Sequence, residues 1–238
     1  MRKVLEDGFR QIKTGKSNYT RITDETISRI AKIKAFEDSS MNNRLYEFHK
    51  QLLRRAQKYD GGNREVGLFW DLNHVEEAPL VIIGNRNSIE IRQNERVNYL
   101  VRNCINVSNV VMMHNHPRNG LFSSVDIQSF IDFNSIFMMT AVCNDGTIYM
   151  LKKEIIFDPF LARKYYNDGC ERSDKESRQY VVKKAKELGL DVNNSEDRKR
   201  IQQIQTRPYY YGIKNLARHA KEIGVIYRCS VKKRGVIR

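Results

Sequence analysis

The chain lacks any run approaching 18 consecutive apolar residues, which on length excludes a helix that spans a membrane. Its opening stretch, MRKVLEDGFRQIKTGK, is basic and lacks the apolar centre of a secretory leader, so a cytoplasmic location is expected. Cysteine is sparse: Cys104, Cys143, Cys170 and Cys229 lie far apart, with no CxxC pair. That pattern argues against a disulfide framework and for ordinary thiols in a reducing compartment. Internal repeats, low-complexity tracts, a GxGxxG turn and a P-loop are all missing. Histidine is rare as well, five in 238 residues, yet two of the five stand one residue apart in VMMHNHPRNGLFSSVD, residues 111–126.

What is present is enough apolar residue to bury a core, 40%, under a surface wetted by 29% charged residues. The length suits one large domain, or a catalytic core of about 100 to 150 residues with appendages. The net charge of +14 is unevenly placed: residues 1–154 carry 22 Lys and Arg against 18 Asp and Glu, whereas residues 155–238 carry 20 against 10. A basic appendage on a nearly neutral body fits a polyanionic partner, with nucleic acid first and an acidic protein surface second; it also fits a well-solvated helical surface.

Residues 22–59 read as helical. Thr23 caps a first turn carrying Asp24 and Glu25, with Ile27, Ile30 and Ile33 at helical spacing. After a polar break at EDSSMNN, Leu45, Phe48 and Leu52 resume the pattern. The glycines of YDGGN, residues 59–63, end the helix. From 65 to 153 the segments turn short. EVGLFWDL, PLVIIG and VSNVVMM read as strands, RVNYLVRNC and SVDIQSFIDF as helices, and MMTAVCNDGTIYMLKK as a hairpin about Asn144-Asp145-Gly146. Beyond Phe157 helix returns: DKESRQYVVKKAKELGLD starts at Ser173 or Asp174 and stops at Gly189, and YGIKNLARHAKEIGV stops at Gly224. Between them RPYYYG sets Arg207 beside Tyr209 and Tyr210, a cluster that either stacks bases or packs helices together; Lys232, Lys233 and Arg234 follow near the end. The expected fold class is α+β or a layered α/β arrangement around one core, with flanking helices. Its parts are an N-terminal helical extension (1–58), the mixed domain (59–156) and a basic, mainly helical C-terminal region (157–238).

At the end of a strand, alternate residues project to one face, so His114 and His116 stand side by side with Asn115 turned away. Pro117 ends the strand, and the loop RNGLF leads to a helix start at Ser123 or Ser124. Asp126 then falls in the first helical turn and can point back at the histidines. Two imidazole nitrogens and one carboxylate oxygen leave the fourth position of tetrahedral zinc open, the catalytic arrangement. Hydrolysis also needs a proton shuttle. Glu65, at the start of a strand directly after the glycine turn, is the best placed upstream; Glu76, Glu77, Glu90 and Glu95 compete from a loop, a turn or an exposed face. His49, His74 and His219 read as surface or packing residues.

A glutamate, then some tens of residues later His-x-His-Pro, a loop and Ser-x-x-Asp, resembles the JAMM (MPN+ or JAB) metalloenzymes. HNHP in particular is similar to their RadC-like and phage-associated branch. The resemblance covers about residues 60–155 and includes the strand pair after the motif. It implies a cytidine deaminase-like mixed sheet, Zn2+ held by His114, His116 and Asp126, Glu65 as general acid/base, and Ser123 helping to hold the oxyanion. It implies hydrolysis of a peptide or isopeptide bond in a protein substrate, such as a ubiquitin-like or phage or mobile-element protein. The alternative it implies is a RadC-like DNA-associated protein in which the basic C-terminal region binds nucleic acid and the metal site is secondary. One departure is visible: six residues separate His116 from Ser123, one fewer than the family's usual spacing.

Overall fold

The computed structural model describes residues 20–102, 108–191, 193–197 and 209–230. They fall in two compact units, one running to Phe157 and resuming at Gly224, the other Asp158–Ile223. Among them no helix is long and apolar enough to cross a membrane.

The first unit begins as the capping chemistry dictates. Thr23 accepts from the Thr26 amide and starts α1, Asp24–Ser28. Helix ends there, so Ile30 and Ile33 reach the core from an irregular segment and not from the helical face their spacing suggested. That segment's backbone is bonded from elsewhere. Asn42 Oδ1 accepts from Ala35 N and Phe36 N at 2.7 and 3.0 Å, Lys152 Nζ donates to Ala35 O at 2.7 Å, and Arg228 donates to Lys34 O. The stretch EDSSMNN, expected to be a break, is instead a helix start. Asp38 caps α2, Ser39–Gln57, by accepting from Ser40 N at 2.7 Å. Short polar side chains that compete with helix in its interior are the same ones that cap it.

The sheet follows. Strands β1 (Val66–Asp71) and β2 (Leu80–Ile83) precede α3 (Glu95–Arg102); then come β3 (Val110–His116), α4 (Ser124–Asp132), β4 (Ile136–Cys143) and β5 (Ile148–Lys153). A last strand, β6 (Val225–Cys229), pairs antiparallel with β5 and completes the order β2-β1-β3-β4-β5-β6. Among the described strands only β3 and β4 run parallel, so the sheet is open and mixed and the fold is α+β. The hairpin falls where the turn residues placed it, with Gly146 at φ +86° and its amide bonded to Cys143 O at 2.9 Å.

Alternation along the strands divides the work between two faces. Leu68, Trp70, Val111, Met113 and Met138 share one buried cluster with Ile22, Leu45, Phe48 and Leu52 of the N-terminal helical region. Phe48 meets the Trp70 ring edge-on at 5.1 Å, and Leu52 and Leu53 are fully buried, each contributing roughly 2 kcal/mol over an exposed position. The other face carries Phe69, Met112, His114 and His116, and receives α4 through Ile127, Phe130 and Ile131. The C-terminal end of α4 is held by Lys153, whose Nζ donates to Phe133 O at 2.8 Å between the Phe130 and Phe157 rings. Burial pushes this amine down to about 7.

His49, expected at a surface or packing position, is a packing residue: it lies buried on α2 with Nε2 3.0 Å from Thr140 Oγ1. Burial lowers its pKa to about 3. A base whose folded value lies below its unfolded one leaves the unfolded chain holding the extra proton, so stability falls as pH drops below about 6.5. The expected loss is about 1 kcal/mol per pH unit between there and pH 3. Urea midpoints from pH 7 to 4 should show His49→Gln without this component; equal slopes for the two proteins would clear His49 as the cause.

The second unit is helical. Helix α5, Pro159–Glu187, runs straight through the expected start at Ser173 or Asp174, and Ser173 is buried within it. It packs on α6, Tyr209–Arg218, at a close crossing: a Cβ on Gly169 would lie 2.5 Å from Tyr211 O, and one on Gly212 2.5 Å from Cys170 Sγ. Arg207, Lys232, Lys233 and Arg234 lie outside the described residues, as do the side chains of Tyr209 and Tyr210.

Candidate metal centre

The site forms where β3 ends and α4 begins. His114 and His116 project to the same face, and Ser123 opens α4 with a reciprocal cap. Its hydroxyl accepts from Asp126 N at 3.2 Å, while Asp126 Oδ2 accepts from Ser123 N and Ser123 Oγ, each at 2.7 Å. The cap fixes Asp126 in the first turn and settles the helix start on Ser123. The carboxylate then faces both imidazoles, with Oδ1 3.3 Å from His114 Nε2 and Oδ2 3.4 Å from His116 Nε2. The two Nε2 atoms are 2.8 Å apart, and ligand atoms of all three residues lie within 4.8 Å of one another.

The six-residue loop between His116 and Ser123 closes on local backbone chemistry. Asn119 adopts φ +51°, a conformation asparagine tolerates, and its amide bonds to His116 O at 3.2 Å. This turn delivers the Gly120 carbonyl to His116 Nδ1 at 2.8 Å. Nδ1 therefore carries the hydrogen and donates, which leaves the Nε2 lone pair facing inward, the outer-shell device that orients metal-binding histidines. His114 Nδ1 is buried with no partner among the described residues, so the orientation of its ring is set from the Nε2 side and by Phe122, 6.4 Å away between ring centres.

Electrostatics couple the group. For Asp126, burial favours the neutral acid, but His114 and His116 outweigh it and hold the carboxyl well below its usual range. Burial likewise opposes charge on His116, yet the Asp126 hydrogen bond and charge, with Glu65 and the Gly120 carbonyl, lift it to about 9. Glu65 is half-buried just before β1, and burial raises its pKa while the charges of His116 and His114 offset part of that rise. Strand alternation puts Glu65 on the same face as Gly67, the partner of His114, and its carboxyl lies within electrostatic reach of His116, His114 and Asp126.

The structure thus gathers His114, His116, Asp126, Ser123 and Glu65. The competing glutamates are otherwise placed: Glu76 pairs with Arg44, Glu77 is exposed near His74, Glu90 accepts from Gln93, and Glu95 lines a separate cleft of about 520 Å³ beside α3. His219 stacks on Tyr165 at 3.8 Å and bonds to Glu222, both within the second unit. Among the described residues Cys143, Cys170 and Cys229 form no disulfide. Two contributors escaped sequence reasoning, the Gly120 carbonyl and the side chain of Asn115. A carbonyl has no sequence signature, and Asn115 was legible only as the residue turned away.

Ser123→Ala should remove the cap and the two hydrogen bonds its hydroxyl makes with Asp126. A loss of about 1 kcal/mol in stability is expected from the cap, with metal affinity falling about 10- to 100-fold as the ligand loosens. Chelator competition measures the second effect; unchanged affinity would show that Asp126 holds its place unaided.

Comparison with protein-family models, curated proteins and solved structures finds no match. His114, His116 and Asp126 form a cluster that could hold a metal ion.

Proposed function

We propose that the protein is a zinc-dependent hydrolase of the JAMM type that cleaves a peptide or isopeptide bond in a protein substrate. The observation that carries this is the convergence of two imidazoles and one carboxylate beside a half-buried carboxyl of raised pKa, Glu65. The mixed sheet with helices on both faces supports the cytidine deaminase-like arrangement that the resemblance implies.

The donor set suits zinc. Two nitrogens and a carboxylate oxygen are ordinary first-row ligands, and three of them leave a coordination position for water or substrate. Because Asp126 Oδ2 already accepts from Ser123 N and Oγ, Oδ1 is the freer oxygen for a cation. Bound Zn2+ would supply Lewis acidity and bring the pKa of a water toward neutrality. The chain's residues supply the rest. Gly120 keeps His116 in the tautomer that presents Nε2. Glu65 takes the proton of the attacking water and passes it to the leaving amine nitrogen, a transfer favoured when the carboxyl's pKa is drawn up toward the working pH. Ser123 orients Asp126 through Oδ2, and its hydroxyl would help to hold a developing oxyanion.

The test is the zinc content of the purified protein, followed by a search for proteins cleaved in cells that express the wild type but not Glu65→Gln. A chain that carries no stoichiometric metal and takes up none when zinc is supplied overturns the proposal. The concentration of basic residues after position 155 supports a second reading, RadC-like association with DNA. Binding to duplex DNA that weakens steeply between about 50 and 200 mM salt, and that is lost when Lys232, Lys233 and Arg234 become glutamate, would favour it.

A further inference from the structure

Asn115 lies between the two histidine ligands and points to the opposite face of the sheet, where it is 0% exposed. There its side chain continues a ladder that the backbone stops short of. Backbone pairing of β1 with β3 ends at Gly67 and His114. Beyond that pair, Asn115 Oδ1 accepts from Val66 N at 2.7 Å and Nδ2 donates to Arg64 O at 3.0 Å. These two backbone groups flank Glu65. On the other side, Glu65 N donates to Asn85 O at 2.7 Å and Glu65 O accepts from Gly84 N at 2.8 Å. Residues 64–66 are therefore clamped from both sides, by a side chain from β3 and by the chain that continues β2.

The clamp is itself anchored. Asn115 Nδ2 lies 3.4 Å from Asn144 Oδ1, and Asn144 Nδ2 donates to Gly62 O at 3.0 Å and Thr20 O at 2.8 Å. Asn144 is also 0% exposed. In such a dry place a missing partner leaves a buried polar group unsatisfied, so the network favours one geometry strongly. Few side chains could do what Asn115 does: it offers one acceptor and one donor, side by side, to an N–H and a C=O two residues apart. A serine hydroxyl is too short to bridge both, and an aspartate has no donor for Arg64 O.

We infer that Asn115 is a positioning residue that sets the Glu65 carboxyl over the face carrying His114 and His116, with Asn144 as its anchor. The catalytic consequence rests on the hydrolase reading; the clamp does not. The same residue run thus serves both faces of the sheet, the ligands on one side and the support of the proton shuttle on the other.

The test uses the full chain with Asn115→Ala and, should that variant fail to fold, Asn115→Ser, a neutral polar side chain too short to bridge both Val66 N and Arg64 O. In metal-free protein, Asn115→Ala should speed amide hydrogen exchange at Val66 at least ten-fold while Leu68 to Trp70 keep their protection. In either variant the Glu65 side chain should gain mobility by carbon relaxation. One zinc per chain should still bind, and on any protein found to be cleaved kcat should fall at least ten-fold with KM within two-fold. A merely structural asparagine would raise exchange evenly along β1 and leave Glu65 mobility and kcat alone; that result overturns the inference. A wild type that neither binds zinc nor cleaves defeats the hydrolase reading instead, and Glu65 mobility in the metal-free variants still decides the clamp.

Discussion

Alanine in place of His114 is expected to leave the purified protein without stoichiometric zinc. The side chain is 1% exposed, and its Nε2 faces both His116 Nε2 and Asp126 Oδ1. Only His116 and Asp126 remain, too few protein ligands for a stable catalytic zinc. The loss in affinity should exceed the 10- to 100-fold typical of outer-shell changes. A second effect follows from the same contacts. Asp126 is held ionised chiefly by His114, so deleting that imidazole leaves a nearly buried carboxylate short of a partner, at a cost of about 1–3 kcal/mol. Plasma mass spectrometry and urea unfolding read the two effects. His49→Gln, which alters a buried histidine on the opposite face, is the control that should keep its zinc. Wild-type zinc content in the His114 variant would remove this residue from the ligand set.

Glutamine in place of Glu65 should do the reverse, sparing the metal and abolishing turnover. Glutamine has nearly the same shape, and the backbone bonds of residue 65 to Asn85 O and Gly84 N do not depend on its side chain. What disappears is the ability to carry a proton. General acid–base groups contribute about 10²- to 10⁴-fold, so cleavage should fall by that factor while zinc stays at one per chain. Removing a half-buried carboxyl that burial already disfavours in its charged form should leave stability within about 1 kcal/mol of wild type. Cleavage by Glu65→Gln at the wild-type rate would return the proton-shuttle role to another residue, and loss of zinc would mean that Glu65 is itself a ligand.

How much of this was legible depended on whether the governing signal was local. The strands from 66 to 153 showed themselves as short apolar segments bounded by turn residues, and the histidine pair through a strand's period of two. The carboxylate of Asp126 could be placed because a helix start has a spacing of its own, although whether Ser123 or Ser124 began the helix awaited the cap. EDSSMNN misled because aspartate, serine and asparagine both break helices and begin them, and the difference lay in backbone groups at 35–36 that needed partners. The irregular course of residues 30–36 was hidden for a related reason: its carbonyls are satisfied by Lys152 and Arg228, far along the chain. Asn115 had no local signal, because Arg64 and Val66 stand about fifty positions away. Strand β6 was missed because Gly224 read as the end of a helix and the five residues after it are too few to assert a period.

That short strand changes what kind of object the second unit is. With β6 back in the sheet beside β5, Asp158–Ile223 is an insertion and not a tail. Its entry and exit are close: Glu154 N bonds to Gly224 O at 2.9 Å, and Asp158 N to Ile223 O at 3.1 Å. Insertions with neighbouring ends can be excised and replaced by a short bridge without breaking the host. A truncation at residue 157 instead strips the sheet of its border, bares the hydrogen-bonding edge of β5 and invites association through it. The inserted helices are joined to the sheet's chain at both of their ends, through Phe157 and Gly224.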